Sequence, residues 1–243
     1  MASNHHDDEV FQTKRRPKNP IKFKISLNEE QKEAKAKVLE NTVTLLAGSA
    51  GSGKTLLACQ IALEKLFMKE CEKIIITRPT VSKEEIGFLP GDLREKMDPW
   101  VQPIYQNMYA LYDKVKIESL IQEGRIEIVP VSFMRGRTFL DSVVIVDEAQ
   151  NVTHEQMEMI VTRIGLRSKM IVCGDDHQVD LKQKRDSGFK FLYAAARKIK
   201  NMVGITLKQN HRDPIVDDLI NLYAEAEEQG LHLGTSGSSG RNK

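Results

Sequence analysis

The 243-residue sequence has only three cysteines, no long apolar run and almost no excess charge. The cysteines are odd in number and lack the spacing of metal ligands, so we expect reduced core thiols rather than disulfides or structural zinc. No apolar stretch approaches the roughly 20 residues that cross a bilayer, which argues against a membrane protein. A net charge of +2 does not indicate nucleic-acid binding, so any such site must come from local basic clusters.

The first residues lack the composition of a secretory signal. They read Met-Ala-Ser-Asn-His-His-Asp-Asp, without the basic start and apolar middle of such a peptide. We therefore expect a cytoplasmic protein. The composition, 40% hydrophobic and 29% charged, is typical of a globular chain with one α/β core.

A glycine-rich segment runs from Gly48 to Thr55 between an apolar run and a helical one. It matches the phosphate-binding pattern G-x-x-x-x-G-K-[ST] in full. In such a loop the backbone N–H groups surround the β-phosphate, Lys54 contacts the β- and γ-oxygens, and the Thr55 hydroxyl binds Mg²⁺. The predicted nucleotide-binding residues here are Gly48, Ser49, Ala50, Gly51, Ser52, Gly53, Lys54 and Thr55.

Two carboxylates follow a predicted buried strand. Residues Val143–Val146 are β-branched and apolar throughout, which is typical of a strand covered on both faces of a parallel sheet. Asp147 and Glu148 come directly after it. Because ligands bind at the carboxyl ends of such strands, we predict that Asp147 binds Mg²⁺ and that Glu148 deprotonates an attacking water.

A further predicted strand, Met170–Cys173, is followed by Gly-Asp-Asp-His-Gln. An amide at this edge of the sheet could bond to the γ-phosphate or the attacking water, so Gln178 is a predicted catalytic sensor. The alternative is that the two aspartates form a turn and that Gln178 is a surface polar residue.

The order of the predicted elements indicates an α/β fold. Helices alternate with strands, which implies parallel strands joined by right-handed crossovers. We predict a flexible basic arm over 1–25, one domain over 26–233 with a helical insertion at about 92–123, and a flexible Gly/Ser-rich tail over 234–243. The predicted strands are Val43–Ala47, Lys73–Thr77, Ile126–Val131, Val143–Val146, Met170–Cys173 and Val203–Leu207.

These motifs, in this order, resemble the ATPase core of superfamily-one helicases and, more closely, the PhoH family of ATPases. The PhoH resemblance covers residues 27–218. It implies a RecA-like P-loop NTPase fold with a mostly parallel central sheet flanked by helices, and ATP hydrolysis with Mg²⁺. Further segments that carry it are Thr77-Arg78-Pro79, Gly87-Phe88-Leu89-Pro90-Gly91-Asp92-Leu93, Met134-Arg135-Gly136-Arg137-Thr138 and Thr162-Arg163-Ile164-Gly165.

The resemblance also implies a partner, because loops after the early strands of helicase-like cores contact nucleic acid. Basic and hydroxyl side chains there suit phosphate contacts, which give affinity without sequence information. Single-stranded RNA is the partner that the family resemblance favours. Arg135 and Arg137 could instead pair with acidic neighbours or reach a nucleotide. The predicted nucleic-acid-binding residues are Thr77, Arg78, Thr80, Arg135 and Arg137.

Two more residues are assigned by resemblance to helicase segments. Gln31 resembles the glutamine that recognises the adenine edge, although Asn28 and Gln31 also form the pattern of a capping box. Arg212 follows Leu-Lys-Gln-Asn-His and resembles the arginine that reaches the γ-phosphate from a second ATPase lobe, with His211 in place of the usual tyrosine.

Because we expect a single ATPase lobe in these 243 residues, our hypothesis is a homo-oligomer, as in a closed ring, in which Arg212 completes the site of the next subunit. The alternative is an arginine at the start of a helix, ahead of Pro214.

Three functions fit these features. The first is an ATPase driven by nucleic acid, such as a helicase or translocase. The second, phosphoryl transfer to a small acceptor, is disfavoured because Glu148 beside the Mg²⁺ carboxylate favours water as the nucleophile. The third is a binding scaffold controlled by ATP without motor activity.

Overall fold

The computed structural model describes residues 21–79, 93–175, 178–181 and 183–228, in which helices and strands alternate. The strands are β1 (Val43–Gly48), β2 (Lys73–Arg78), β3 (Ile126–Pro130), β4 (Ser142–Val146), β5 (Lys169–Gly174) and β6 (Met202–Leu207). The helices are α1 (Glu29–Glu40), α2 (Lys54–Phe67), α3 (Leu93–Leu111), α4 (Lys114–Gln122), α5 (His154–Val161), α6 (Gly188–Ala195) and α7 (Ile215–Glu228).

The six strands form one sheet in the order β3-β2-β4-β5-β1-β6, and every pairing is parallel. Each predicted strand is present, with ends that differ from the prediction by no more than about two residues, as is usual for element boundaries. The predicted α/β fold, with a mostly parallel central sheet flanked by helices, is therefore confirmed.

Apolar side chains cover both faces of the sheet. In β4, which is buried at every position, Val143 and Ile145 join one cluster, while Val144 and Val146 join the other. This alternation is what the pleat of a strand requires when both faces are packed. The first cluster contains residues of α2, α3 and α4, and the second contains residues of α5 and α6.

The parallel arrangement brings the predicted motifs to one edge of the sheet. β1 leads into the phosphate loop, β4 leads into Asp147, and β5 ends at Gly174. Because β5 lies between β1 and β4, the ends of these three strands are neighbours. A ligand site is therefore expected at the edge of the sheet formed by their carboxyl ends.

The predicted N-terminal arm extends too far along the chain. Phe23 and Ile25 pack on the core, the Phe23 ring lies 6.1 Å from that of Tyr112, and the Lys24 N–H donates to the Leu111 carbonyl at 2.9 Å. Residues 21–25 thus belong to the domain, and the remainder of the arm lies outside the described residues. The predicted tail, 234–243, also lies outside them.

The predicted helical insertion consists of α3 and α4, whose buried side chains include Ile104, Met108 and Ile117. All three cysteines are free and buried, as predicted. Burial raises the pKa of the Cys71 thiol to about 11. Within the described ranges, no helix has the length and apolar character needed to cross a membrane.

Candidate nucleotide site

The phosphate loop turns through two left-handed glycines before α2 begins. Gly51 has φ of 89° and Gly53 has φ of 80°, a region that other residues adopt only under strain. A Cβ at Gly53 would also lie 2.7 Å from Gln31 Nε2. The backbone conformation therefore favours glycine at position 53, and α2 starts with its N-terminus facing the loop.

The Lys54 side chain folds back onto the phosphate loop that precedes it. Its Nζ donates to the carbonyl oxygens of Gly48 at 2.7 Å and Ser49 at 2.9 Å. The ammonium group is thus held over the centre of the loop, next to the N-terminus of α2. Positive charge and helix dipole together make this an anion-binding position.

Thr55 and Asp147 meet across the cleft although they are far apart in sequence. The Thr55 hydroxyl donates to Asp147 Oδ1 at 2.6 Å, and the Asp147 N–H is fixed by the Thr77 carbonyl at 2.8 Å. Burial raises the pKa of the Asp147 carboxyl above its usual range, and the hydrogen bond from Thr55 opposes that rise. The two predicted Mg²⁺ ligands are therefore adjacent, and both present oxygen.

Glu148 projects from a strained turn directly after Asp147. Its backbone is left-handed, with φ of 50° and ψ of 39°, which is uncommon for a residue other than glycine. One carboxylate oxygen, Oε1, lies 3.5 Å from Arg78 Nη2, and the side chain is 39% exposed. The carboxylate therefore combines access to solvent with a nearby positive charge.

A cleft of about 440 Å³ collects these groups. Gln178 is exposed and lines it, and the Gln178 N–H donates to the Asp175 carbonyl at 3.3 Å. Its role as a sensor stays a prediction, and Asp176 of the alternative turn lies outside the described residues. Other residues that line the cleft are Ala50, Gly51, Gly53, Lys54, Thr55, Arg78, Asp147, Glu148 and Arg212.

Gln31 takes part in the capping box at the start of α1. Its N–H donates to the Asn28 side chain at 2.7 Å, and its Oε1 accepts from the Asn28 N–H at 3.2 Å. Its Nε2 lies 3.3 Å from His211 Nε2. The capping interpretation is confirmed, while recognition of adenine by Gln31 stays a prediction.

Arg212 lies beside the phosphate loop of its own chain. A Cβ at Gly51 would come 2.9 Å from Arg212 Cγ, and the His211 N–H donates to the Gly51 carbonyl at 3.1 Å. The segment before Arg212 is held as well, because the Glu30 carboxylate accepts from the backbone N–H groups of Lys208 and Gln209. No second copy is needed to bring Arg212 to a nucleotide cleft, and its action on a neighbouring subunit stays a prediction.

The predicted nucleic-acid residues at the end of β2 do not form an exposed set. Thr77 is completely buried within β2, so its side chain cannot contact nucleic acid and that prediction is wrong. Four consecutive positions of β2 are buried, and Thr77 is the last of them. Arg78 lines the nucleotide cleft instead, and Thr80 lies outside the described residues.

The two arginines after β3 differ from each other. Arg137 forms a bidentate pair with Glu127, with N–O distances of 2.9 and 2.8 Å, and lies over the Phe139 ring at 5.5 Å. This is the pairing with an acidic neighbour that the sequence left open. Arg135 is exposed, and its role as a nucleic-acid contact stays a prediction.

Two features were missed by sequence reasoning. Gln150 is buried and bonds to both Glu148 and the Asp175 backbone. A polar residue two positions after a predicted catalytic carboxylate was the available signal. The second feature is a groove of about 900 Å³ beside β3, lined in part by Tyr105, Tyr109 and Phe133. No sequence pattern that we used points to it.

The family model for PhoH-like protein matches residues 24–224 of the chain. The PhoH-like protein of Synechocystis sp. is 40% identical over 193 residues, which cover 78% of this chain and 59% of that protein. The PhoH-like protein of Bacillus subtilis is 38% identical over 236 residues, 89% of this chain and 74% of that protein. Protein PhoH of Escherichia coli K12 is 39% identical over 167 residues, 68% and 47% respectively. The chain thus spans little more than half of the Synechocystis relative and less than half of the Escherichia coli one.

Solved structures overlay on the chain at lower similarity. The Pif1 helicase of Candida albicans has a TM-score of 0.44 and 20% identity, covering 81% of this chain and 44% of that one. The Sulfolobus solfataricus SWI2/SNF2 ATPase core in complex with dsDNA has a TM-score of 0.42 and 15% identity, covering 83% and 48%. The family match over residues 24–224, with its P-loop cleft intact, identifies the chain as a member of the PhoH family.

Proposed function

We propose that this protein hydrolyses ATP with Mg²⁺ and couples the hydrolysis to single-stranded nucleic acid, with RNA favoured. The observation that supports hydrolysis most strongly is the 2.6 Å contact between Thr55 Oγ1 and Asp147 Oδ1, next to Glu148 in the same cleft. A hydroxyl and a carboxylate are the side-chain ligands of Mg²⁺ in P-loop NTPases.

The donor set fits Mg²⁺ because it consists of hard oxygen ligands on a rigid strand end and a helix start. When bound, Mg²⁺ supplies positive charge for the phosphate oxygens. Thr55 and Asp147 would hold it. Lys54 and the backbone N–H groups of the loop would bind the β- and γ-phosphates, since these groups surround one anion-binding position.

Three side chains, those of Glu148, Gln178 and Arg212, would then take part in the reaction. Glu148 takes a proton from water, and the water oxygen attacks the γ-phosphorus as the bond to the bridging oxygen of ADP breaks. Gln178 bonds to the attacking water or the γ-phosphate. Arg212 stabilises negative charge on the transferring group, in its own cleft or in that of a neighbouring subunit in a ring.

The groove beside β3 supports a nucleic-acid partner. Tyr105 and Tyr109 stack with ring centroids 6.2 Å apart, and Phe133 is 58% exposed. Aromatic faces of this kind bind unstacked bases with little sequence preference. Because Glu118 and Glu127 also line the groove, base stacking would provide the contact there, while the exposed Arg135 would contact phosphate. RNA is favoured by the family resemblance, and buried free cysteines suit the reducing cytoplasm.

An ATP-controlled binding scaffold is the second candidate. It is favoured by the surroundings of Glu148, whose two carboxylate oxygens face Arg78 and Gln150. If these two contacts keep the carboxylate from taking a proton from water, ATP binds without turning over.

The deciding experiment measures phosphate release with ATP alone and with single-stranded RNA, single-stranded DNA or duplex, at two salt concentrations. We expect single-stranded RNA to stimulate release most, and the stimulation to weaken at the higher salt because phosphate contacts release counterions. Lys54→Ala serves as the inactive reference. Tight ATP binding and ATP-dependent capture of a partner, with release at the Lys54→Ala level in every arm, would replace the hydrolase with the scaffold.

A further inference from the structure

A buried glutamine connects the segment after β4 with the segment after β5. Gln150 is 1% exposed. Its Nε2 donates to Glu148 Oε2 at 2.7 Å, and its Oε1 accepts from the Asp175 N–H at 3.0 Å. One side chain therefore joins the proposed general base to the backbone of the neighbouring strand end.

The two ends of the Gln150 amide are not interchangeable. An ionised carboxylate only accepts hydrogen bonds, and a backbone N–H only donates one. The NH₂ group must therefore face Glu148, and the oxygen must face Asp175. No other side chain of this length supplies a donor and an acceptor in this arrangement without a net charge.

Glu148 needs such support because its backbone is strained. A non-glycine residue in the left-handed region persists only where its surroundings fix it, and residues of this kind cluster at functional sites. Gln150 holds one carboxylate oxygen, while the other lies 3.5 Å from Arg78. The carboxylate is thus held from two sides, by β2 and by the segment after β4.

A second pair of hydrogen bonds links the same two segments. Asn151 Nδ2 donates to Asp180 Oδ2 at 3.0 Å, and the Asp180 N–H donates to Asn151 Oδ1 at 2.8 Å. Gln178 lies between Asp175 and Asp180 in sequence. The segment that carries the proposed sensor is therefore attached on both sides to the segment that carries the proposed base.

We infer that Gln150 is a positioning residue: it orients the Glu148 carboxylate toward the attacking water and sets the Gln178 segment against it. This inference rests on the proposed ATP hydrolysis. Within the part of the chain that the structure describes, the Gln150 side chain bonds to Glu148 and to the Asp175 backbone and not to the phosphate loop. It should therefore affect the chemical step and leave nucleotide binding to Lys54 and the loop.

Two variants separate its two bonds. Gln150→Met keeps the length and removes both bonds, whereas Gln150→Glu keeps the acceptor for Asp175 and removes the donor to Glu148. We expect both to lower kcat about 10-fold, while KM changes by less than about twofold, since an oriented base contributes mainly to the chemical step. The matched control is Gln156→Glu, which adds the same charge nearby and preserves the capping box of α5.

A double-mutant cycle with Glu148→Gln distinguishes positioning from general structural support. If Gln150 acts through Glu148, Gln150→Met should lower single-turnover hydrolysis no further in the Glu148→Gln background. Full additivity of the two changes would overturn the inference. So would a parental kcat in both Gln150 variants.

Hydrogen exchange at the Asp175 amide tests the connection without any turnover. We expect exchange about 10-fold faster in Gln150→Met and unchanged in Gln150→Glu, because only methionine lacks the acceptor. Parental protection in Gln150→Met would show that the connection does not exist in solution. If protection responds as expected but the parent protein hydrolyses no ATP, the proposed function fails while the connection stands.

Discussion

The nucleotide cleft and the predicted nucleic-acid residues show opposite outcomes of the same kind of reasoning. In the cleft, residues separated by about a hundred positions meet, with Thr55 bonded to Asp147. Of the nucleic-acid set, Thr77 is buried, Arg78 lines the cleft and Arg137 is paired with Glu127. A motif whose spacing specifies a backbone conformation predicts position well. Local charge and hydroxyl content do not, because packing and ion pairing decide where such side chains point.

The largest effect should come from Lys54. Lys54→Ala removes the ammonium group from the centre of the loop, so we expect phosphate release to fall ~10³-fold or more. Lys116→Ala, an exposed lysine on α4, is the control and should keep the parental rate. If the Lys54→Ala protein hydrolysed ATP at the parental rate, the cleft would not be the site of hydrolysis.

Arg212 should have the next largest effect. We expect Arg212→Ala to lower kcat by ~10³-fold, because an arginine at the γ-phosphate stabilises charge in the transition state. Steady-state phosphate release, with KM measured alongside, checks this. Arg197→Ala, which removes an exposed arginine just after α6, is a matched control.

Mixing the two inactive proteins shows whose cleft Arg212 serves. If it acts on a neighbour, Lys54→Ala and Arg212→Ala should recover activity together, because some interfaces pair an intact loop with an intact arginine. If it acts in its own chain, as its contact with Gly51 suggests, the mixture should stay inactive at every concentration. Sedimentation of the parent protein under assay conditions completes this test.

Arg78 and Arg135 offer a direct test of the difference between the two regions. Because Arg78 lies next to Glu148, we expect Arg78→Ala to lower kcat about 10-fold and to change RNA affinity by less than about twofold. Arg135→Ala should do the reverse, weakening RNA binding across sequences and reducing its salt dependence by about one phosphate contact. Fluorescence titrations with RNA at several salt concentrations measure the binding. Loss of RNA binding in Arg78→Ala with normal turnover would restore its original assignment.

The smallest effect concerns the Arg137–Glu127 pair. The hydrogen bond from Arg137 lowers the pKa of the Glu127 carboxyl below its ordinary value of 4.5. The pair therefore adds stability above about that pH, and this contribution is lost as the pH falls through the lower pKa of the folded protein. Both side chains are about one third exposed, so we expect Arg137→Ala to cost only about 1 kcal/mol.

Thermal denaturation from about pH 7 to about pH 3 measures this difference. The melting temperatures of the parent and Arg137→Ala should differ by about 2–4 °C near neutral pH and converge in acid. Arg135→Ala, which removes an exposed arginine two positions away, is the control. A difference that stays constant down to the lowest pH would show that the pair with Glu127 is not its cause.

The fold could be predicted from sequence because each buried strand is a short β-branched run, of which Val143–Val146 is the clearest. Lys54, Thr55 and Asp147 could be located because a parallel sheet brings the carboxyl ends of its strands together. The sequence indicated that Arg212 contacts a nucleotide, but it did not show how the side chain reaches the cleft. That depends on the hydrogen bonds of residues 208–211 with α1 and the phosphate loop.

Gln150 shows what sequence reasoning does not reach. Its residue type is ordinary, and its importance comes from a bond to a backbone N–H 25 positions away. Thr77 shows the converse error, because a hydroxyl that follows three apolar residues of a strand was assigned to the surface although the core continues through it. In both cases, the role of the side chain depends on the three-dimensional packing around it.

The central claim is that Glu148 activates water in a cleft that binds ATP independently of it. Single-turnover hydrolysis and equilibrium ATP binding of Glu148→Gln, measured on the same preparation, test it most directly. We predict ATP affinity within about twofold of the parent and hydrolysis slower by ~10²-fold or more, because glutamine cannot accept the proton. Hydrolysis at the parental rate, with ATP bound normally, would contradict the account.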